Sequence, residues 1–215
     1  RPRDWSSDVC SSDLKSIVLT YPDAVKQAVA KASYQDEIDF LVRNEKRNRF
    51  IRNLVMSLEG NTLLLFQYVE KHGKILYDDL VRAAGESRRV FFVHGGVEGE
   101  EREEIRAIVE READAIIVAS YGTFSTGVNI KNLSSVIFAS PSKSRIRNLQ
   151  SIGRGLRRSE TKTAAVLYDL SDDLVWKKRK NYTLLHFFER IKIYAEEKFP
   201  YKIYRVSLEI GRAHV

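Results

Sequence analysis

Residues 115–139, AIIVASYGTFSTGVNIKNLSSVIFA, decide the fold. Two short apolar runs, Ala115 to Ala119 and Val136 to Ala139, flank a segment dense in hydroxyls and glycine. Neither run alternates apolar with polar residues, so each reads as a strand covered on both faces. Thr62 to Phe66 (TLLLF) has the same character, and Val90 to Val93 and Ala164 to Leu170 continue the series. Ile17 to Leu19 is a further short candidate, and Tyr201 to Val206 a closing one. Between the strands lie stretches of helical periodicity: Gln35 to Val42, Glu45 to Leu58 with Phe50, Leu54 and Leu58 on one stripe, Val69 to Ala83, Glu100 to Arg111, Ile146 to Leu156 and Leu174 to Glu197. Strands alternating with helices predict βαβ units, hence an α/β domain with a doubly wound, mainly parallel sheet and helices on both faces.

The two ends of the chain stand apart from this pattern. Asp8 to Leu14 (DVCSSDL) can be written as codons whose reverse complement, read in frame, gives EIGRAHV, the sequence of Glu209 to Val215. That relation resembles a translated sequencing adapter, so residues 1–14 and 209–215 are expected to take no part in the sheet. The lone cysteine, Cys10, falls in the first of these ends. Residues 15–208 then contain no cysteine, which excludes disulfides and cysteine-based zinc sites within them and suits a reducing cytoplasm. They hold 33 basic and 25 acidic residues, a net of +8, which points to a polyanionic partner. No apolar run is long enough to predict a membrane-spanning helix. Residues 15–45 read as a connector, and residues 46–208 as the α/β domain.

Two loops at the expected carboxyl ends of the strands carry the chemistry, because ligands of such sheets bind there. The first is Ser120 to Asn129 (SYGTFSTGVN), whose backbone N–H groups and short hydroxyls suit phosphate oxygens. The second is Gln150 to Arg158 (QSIGRGLRR). Arg154 and Arg157 share a face on a helix, and two adjacent guanidiniums repel unless an anion lies between them. Gly153 and Gly155 each cost a helix roughly 1 kcal/mol relative to alanine, which suggests close approach by another backbone or a ligand. A basic helix end interacting with its own dipole explains the same residues equally well.

Four blocks in order break this tie. TLLLFQYVEKHGKIL, VFFVHGG, VASYGTFSTGVN and QSIGRGLRR resemble, in sequence and spacing, the second RecA-like motor domain of superfamily-two helicases. The phrases ASYGTFSTGVNIKNL and LQSIGRGLRR are most similar to the UvsW-type helicases of tailed phages, which act on branched DNA. The resemblance implies a RecA-like fold and half of an ATP site. It implies arginine fingers at Arg154 and Arg157, with nucleotide contacts from Gln150, Gly153, Gly127 and Asn129. Asn129 stands where relatives often carry an acidic residue, so its ribose contact would lack a charge. Ser120, Thr123, His94 and Gly95 would face the nucleic-acid backbone. The implied cofactors are ATP and Mg2+, held mainly by a first motor domain that would carry the phosphate loop, because no GxxxxGK[ST] occurs here. The implied partners are that first lobe and single-stranded or branched DNA, or RNA, in the cytoplasm of a bacterial or phage-infected cell. Alone, such a lobe neither hydrolyses ATP nor unwinds a duplex. A motor-subunit fragment of a restriction nuclease and a non-catalytic nucleic-acid-binding module are the alternatives.

Other features have plainer readings. The basic run Trp176 to Lys180 (WKKRK) could touch nucleic acid or be a solvated helix face. Tyr182, Phe187, Phe188 and Tyr194 are spaced for packing rather than for stacking on bases. His94-Gly95-Gly96 is a strand-end turn with no metal-ligand spacing, and Asp78 and Asp79 read as surface residues.

Overall fold

Most of the strands form where the chain offers short runs that bury both faces; the last, Tyr201–Ser207, is an edge strand and largely exposed. The computed structural model describes residues 14–125, 132–140, 165–196 and 198–208. Its strands are β1 (Leu14–Thr20), β2 (Thr62–Phe66), β3 (Val90–Val93), β4 (Ile116–Ser120), β5 (Ser135–Phe138), β6 (Val166–Asp173) and β7 (Tyr201–Ser207). They make one sheet in the order β3-β4-β2-β5-β6-β1-β7. Every described pairing is parallel, so the sheet is all-parallel rather than mainly so. Leu64 of β2 stands between Val118 and Ile137 in the register.

The helices are α1 (Asp23–Val29), α2 (Tyr34–Arg43), α3 (Glu45–Ser57), α4 (Lys74–Ala84), α5 (Gly99–Val109), α6 (Tyr121–Ser125) and α7 (Tyr182–Glu196). One core packs α2, α3 and α4 against one face of the sheet through Leu41, Ile51, Leu76, Leu64, Phe66 and Val118. The other packs α5 and α7 against the opposite face through Val109, Tyr194, Leu63, Leu65, Ile117 and Phe138. The alternation of Leu63 and Leu65 against Leu64 and Phe66 is the strand period of two dividing a continuous apolar run between the cores.

Local chemistry fixes the helix ends. Ser33 and Asp36 form a capping box at the start of α2, the hydroxyl accepting from Asp36 N and the carboxylate from Ser33 N. Asn44 ends α2 and caps α3, its side chain accepting from Arg47 N at 3.0 Å, so the two helices meet without a loop. The helix expected over Val69 to Ala83 opens instead as a π-turn, Val69–Gly73, whose last residue, Gly73, lies against the ring of Phe66. A Cβ at Gly73 would come within 2.5 Å of that ring. Gly85, at φ +53°, ends α4.

Three expectations need correction. Residues 15–45 are not a bare connector: they supply β1, which lies between β6 and β7, and α2, which packs on the core. Leu14, assigned to the adapter-like end, is buried in β1 opposite Leu167 and Tyr201. The segment from Leu174 is not helical until Tyr182. Lys177 has φ +54°, and Trp176 and Arg179 exchange backbone hydrogen bonds of 3.2 and 3.1 Å in a tight hairpin. The start of α7 is set by buried Glu37, whose carboxylate accepts from the backbone N–H groups of Tyr182 (3.0 Å) and Thr183 (2.8 Å). The expected helix at Ile146 to Leu156 and the ends 1–13 and 209–215 lie outside the described residues.

At the carboxyl edge of the sheet, Arg47 of α3 is fully buried and binds Asp172 of β6 in a two-point pair, Nε to Oδ1 at 2.8 Å and Nη2 to Oδ2 at 3.1 Å. The hydroxyl of Tyr21, just past β1, donates to the same carboxylate at 2.7 Å. Burial, and then the charge of Asp172, push the Tyr21 phenol well above its ordinary pKa. Burial alone would lower the Arg47 pKa, but Asp172, with Tyr21, more than offsets it and the guanidinium is held charged. Arg47→Ala should therefore destabilise the domain by about 3–5 kcal/mol in urea denaturation, since it strands a buried carboxylate. Exposed Arg49→Ala should change the stability by less than about 0.5 kcal/mol.

Candidate functional site

The sheet reverses its winding at β2. From β2 the chain runs outward to β3, returns to β4 beside β2, and then crosses to β5 on the other side. Sheets of this kind take ligands beyond the carboxyl ends of their strands at such a reversal, here the ends of β4, β2 and β5. The residues there are Gln67 after β2, Ser120 to Thr123 after β4, and Ser140 after β5.

A chain of polar contacts ties these ends to the helices behind them. The backbone N–H of Gln67 donates to Ser140 Oγ at 2.9 Å. Ser140 Oγ lies 3.0 Å from Nδ1 of buried His72, and His72 Nε2 lies 3.2 Å from Asn48 Oδ1. An amide oxygen only accepts, so Nε2 carries a proton in this contact. Asn48 in turn donates to the carbonyl of Val42 at 2.9 Å. The exits from β2 and β5 are thereby locked to α3 and to the π-turn.

After β4, Ser120 Oγ and Thr123 Oγ1 lie 2.8 Å apart, and Thr123 N donates to Ser120 Oγ at 3.3 Å. Both residues are buried, while Gly122 between them is exposed. The two hydroxyls expected to face a nucleic-acid backbone thus meet each other and hold the first turn of α6. After β3, His94 is half-buried and Gly95 exposed. The N–H of Gly96 donates to His94 Nδ1 at 3.1 Å, and Val97 N to the His94 carbonyl at 3.0 Å, which is the expected strand-end turn. Gln150, Gly153, Arg154, Arg157, Gly127 and Asn129 lie outside the described residues. Among the described residues no cluster of histidine, cysteine or carboxylate side chains could hold a metal ion. No described helix is long and apolar enough to cross a membrane.

Sequence reading missed Arg47, Asn48 and His72. A signal for Arg47 was present: it shares the helical face of Ile51, Leu54 and Val55, so a charge stood in the middle of an apolar stripe. His72 carried none, because its burial follows from the π-turn.

An all-parallel α/β sheet with this strand order and helices on both faces is a RecA-like fold. A model of the helicase conserved C-terminal domain matches residues 45–159, and the chain belongs to that family. The chain is 39% identical over 208 residues to the ATP-dependent DNA helicase uvsW of Enterobacteria phage T4, a match covering 91% of this chain and 41% of that protein. The crystal structure of T4 UvsW superposes with a TM-score of 0.80 at 37% identity, over 92% of this chain and 42% of that one. The E. coli DEAD-box protein SrmB shares the fold, with a TM-score of 0.57 at 12% identity over 93% of this chain and 94% of that one. The chain thus spans about two-fifths of the phage relative it matches.

Ser140→Ala should cost about 1–3 kcal/mol, because it leaves the Gln67 amide and His72 without their shared hydroxyl. Paired denaturation curves of this variant and the parent measure it; an unchanged midpoint would mean that the polar chain contributes nothing to stability.

Proposed function

We propose that this chain is the second motor lobe of an ATP-dependent DNA helicase or branch-migration translocase. The observation that carries the reading is the 39% identity, over 91% of this chain, to a phage protein named as an ATP-dependent DNA helicase. The order of the four sequence blocks along the chain supports it. So does the place of Ser140, which precedes the last of those blocks in the chain, beside the end of β2.

In this reading Arg154 and Arg157 are arginine fingers, with Gln150, Gly153, Gly127 and Asn129 at the nucleotide. Bound ATP with Mg2+ supplies a γ-phosphoryl group whose transfer to water releases the driving free energy. The donor set of this lobe fits that group in part. Two guanidiniums and an amide suit phosphate oxygens, whereas none of these six residues carries a carboxylate for the metal, which falls to the first lobe. The arginines then act late: they are placed for charge that builds in the transition state, so they speed turnover more than they tighten binding. Ser120 and Thr123 position the turn that offers backbone N–H groups to phosphates, and His94 and Gly95 extend the same edge. By itself the lobe holds half a nucleotide site and is inactive.

A motor subunit of a restriction nuclease and a non-catalytic nucleic-acid-binding module predict different neighbours. The first requires a nuclease domain in the same polypeptide. The second requires that no phosphate-loop domain accompany this one.

The deciding experiment joins this lobe to a phosphate-loop first lobe and follows DNA-stimulated ATPase activity together with thermal melting. Arg154→Ala and Arg157→Ala should each lower turnover by about 10³–10⁵-fold with little change in melting temperature. Arg158→Ala should be tolerated better. Near-normal activity in both finger variants would remove the assignment, and loss of activity through unfolding would make the segment structural.

A further inference from the structure

The basic run and two of the aromatic residues after β6 meet on one face. Among the described residues, eight large hydrophobic side chains are exposed, and four of them, Tyr34, Tyr182, Leu185 and Phe188, are contributed by α7 and the start of α2. Such clustering separates this face from singly scattered apolar residues, which need no explanation. Tyr182 and Phe188 were expected in the core with Phe187 and Tyr194. Phe187 and Tyr194 are buried, whereas Tyr182 and Phe188 are 37% and 40% exposed. The helical period explains the split, since six residues separate Tyr182 from Phe188, with Leu185 between them on the outer arc. The rings of Tyr34 and Tyr182 meet edge to face, 5.8 Å apart.

The same face is cationic. Lys177, Lys178, Arg179 and Lys180 are all exposed. The hairpin that carries them is held in place by Arg179, which donates to the Ala32 carbonyl at 3.3 Å, and by Asn181, which donates to Glu37 at 3.0 Å. No salt bridge of Lys177, Lys178 or Lys180 exists among the described residues. The ammonium of Lys180 lies 5.1 Å from the centre of the Phe188 ring. Glu189 and Glu196 are the carboxylates on the outer arc of α7, where Lys192 also stands.

We propose that this face is a second contact surface for single-stranded nucleic acid, with Tyr182 and Phe188 stacking on unpaired bases and Lys177, Lys178 and Lys180 holding phosphates. Both halves of the face are then used. Bases offer π-faces to the rings and the backbone offers charge to the lysines, the combination that binds single strands without sequence preference. An apolar protein partner would cover the rings but would trap three ammonium groups beside them. The hairpin is fixed before binding, so little ordering is lost on association. The ends of β4 and β6 are three strand spacings apart, roughly 14 Å, so one nucleic-acid strand can reach from the end of β4 to this face. The inference does not depend on the arginine-finger assignment, which ATPase activity reads separately.

The test is fluorescence anisotropy of this chain with a labelled oligothymidylate of about twenty nucleotides and with a blunt duplex of equal length. Tyr182→Ala/Phe188→Ala should weaken binding to the single strand roughly tenfold or more and leave the duplex affinity unchanged, because stacking needs unpaired bases. Lys177→Ala/Lys178→Ala should lower the slope of log affinity against log salt by about 1.4, the share of two single-strand phosphate contacts. The lysine pair is wholly exposed, so it decides the matter if the aromatic variant fails to fold. An unmodified chain that binds no single strand, or variants that bind it as tightly as the parent, would overturn the proposal. Unchanged nucleic-acid affinity with an altered oligomeric state would make the face a protein contact instead.

Discussion

Arg47 and Asp172 hold together parts of the chain that lie 125 residues apart. Neither ion could be buried alone, because desolvating either charge costs several kcal/mol, and the cost is offset only by good geometry and further hydrogen bonds. The two-point pair supplies the geometry, and the Tyr21 hydroxyl supplies one of the further bonds. One carboxylate at the end of β6 therefore fixes the start of α3 and the exit from β1. β1 stands between β6 and β7, so its exit must be placed before the last strand can close the sheet.

β6 uses the alternation of a strand to serve both cores. Asp172 faces α3, while Asp169, three residues earlier and so on the opposite side, accepts from Arg190 Nε and from the Tyr194 hydroxyl of α7, both at 2.8 Å. The two helical layers are thus keyed to one strand by two buried ion pairs. The amino edge of the sheet is closed differently, by the side chains of Asn61 and Arg88 donating to backbone carbonyls. Asn61 donates to the carbonyls of Val109 (3.1 Å) and Glu112 (2.8 Å), and accepts from Ala115 N at 2.8 Å. Arg88 donates to the carbonyls of Val55, Leu58 and Gly60. Backbone carbonyls take up the side-chain donors of that edge, and Arg88 also pairs with Asp114.

At the carboxyl edge the polar groups have two jobs. Ser140, His72 and Asn48 hold strand exits, and Ser120 with Thr123 holds a turn. These groups are buried and bonded to one another. What faces solvent is backbone, at Gly122 and Gly95. Side chains that fix a loop from beneath leave its backbone as the exposed surface. Peptide N–H groups stabilise negative charge without the cost of burying a cation.

The sequence by itself determined the sheet. Continuous apolar runs such as TLLLF and AIIVA can only be strands covered on both faces, and the helical stretches between them require parallel crossovers. The ordered blocks identified the family for the same reason, since loops at strand ends keep their spacing when the strands do. Tertiary structure decided what periodicity could not see. β1 was legible only as the short run Ile17 to Leu19, because Lys15 and Ser16 interrupt its apolar signature; its seven-residue length and its place in the sheet come from β6 and β7 on either side. The helix from Leu174 was drawn too long because its apolar spacing tolerated a hairpin, whereas the carboxylate of Glu37, 145 residues away from Tyr182, set where α7 starts. The same contact turned Tyr182 and Phe188 to solvent and put Phe187 and Tyr194 inside. Local sequence specifies which segments are strand or helix; the rotation of a helix about its own axis, and so which of its rings meet water, is fixed by the partner that caps and packs it.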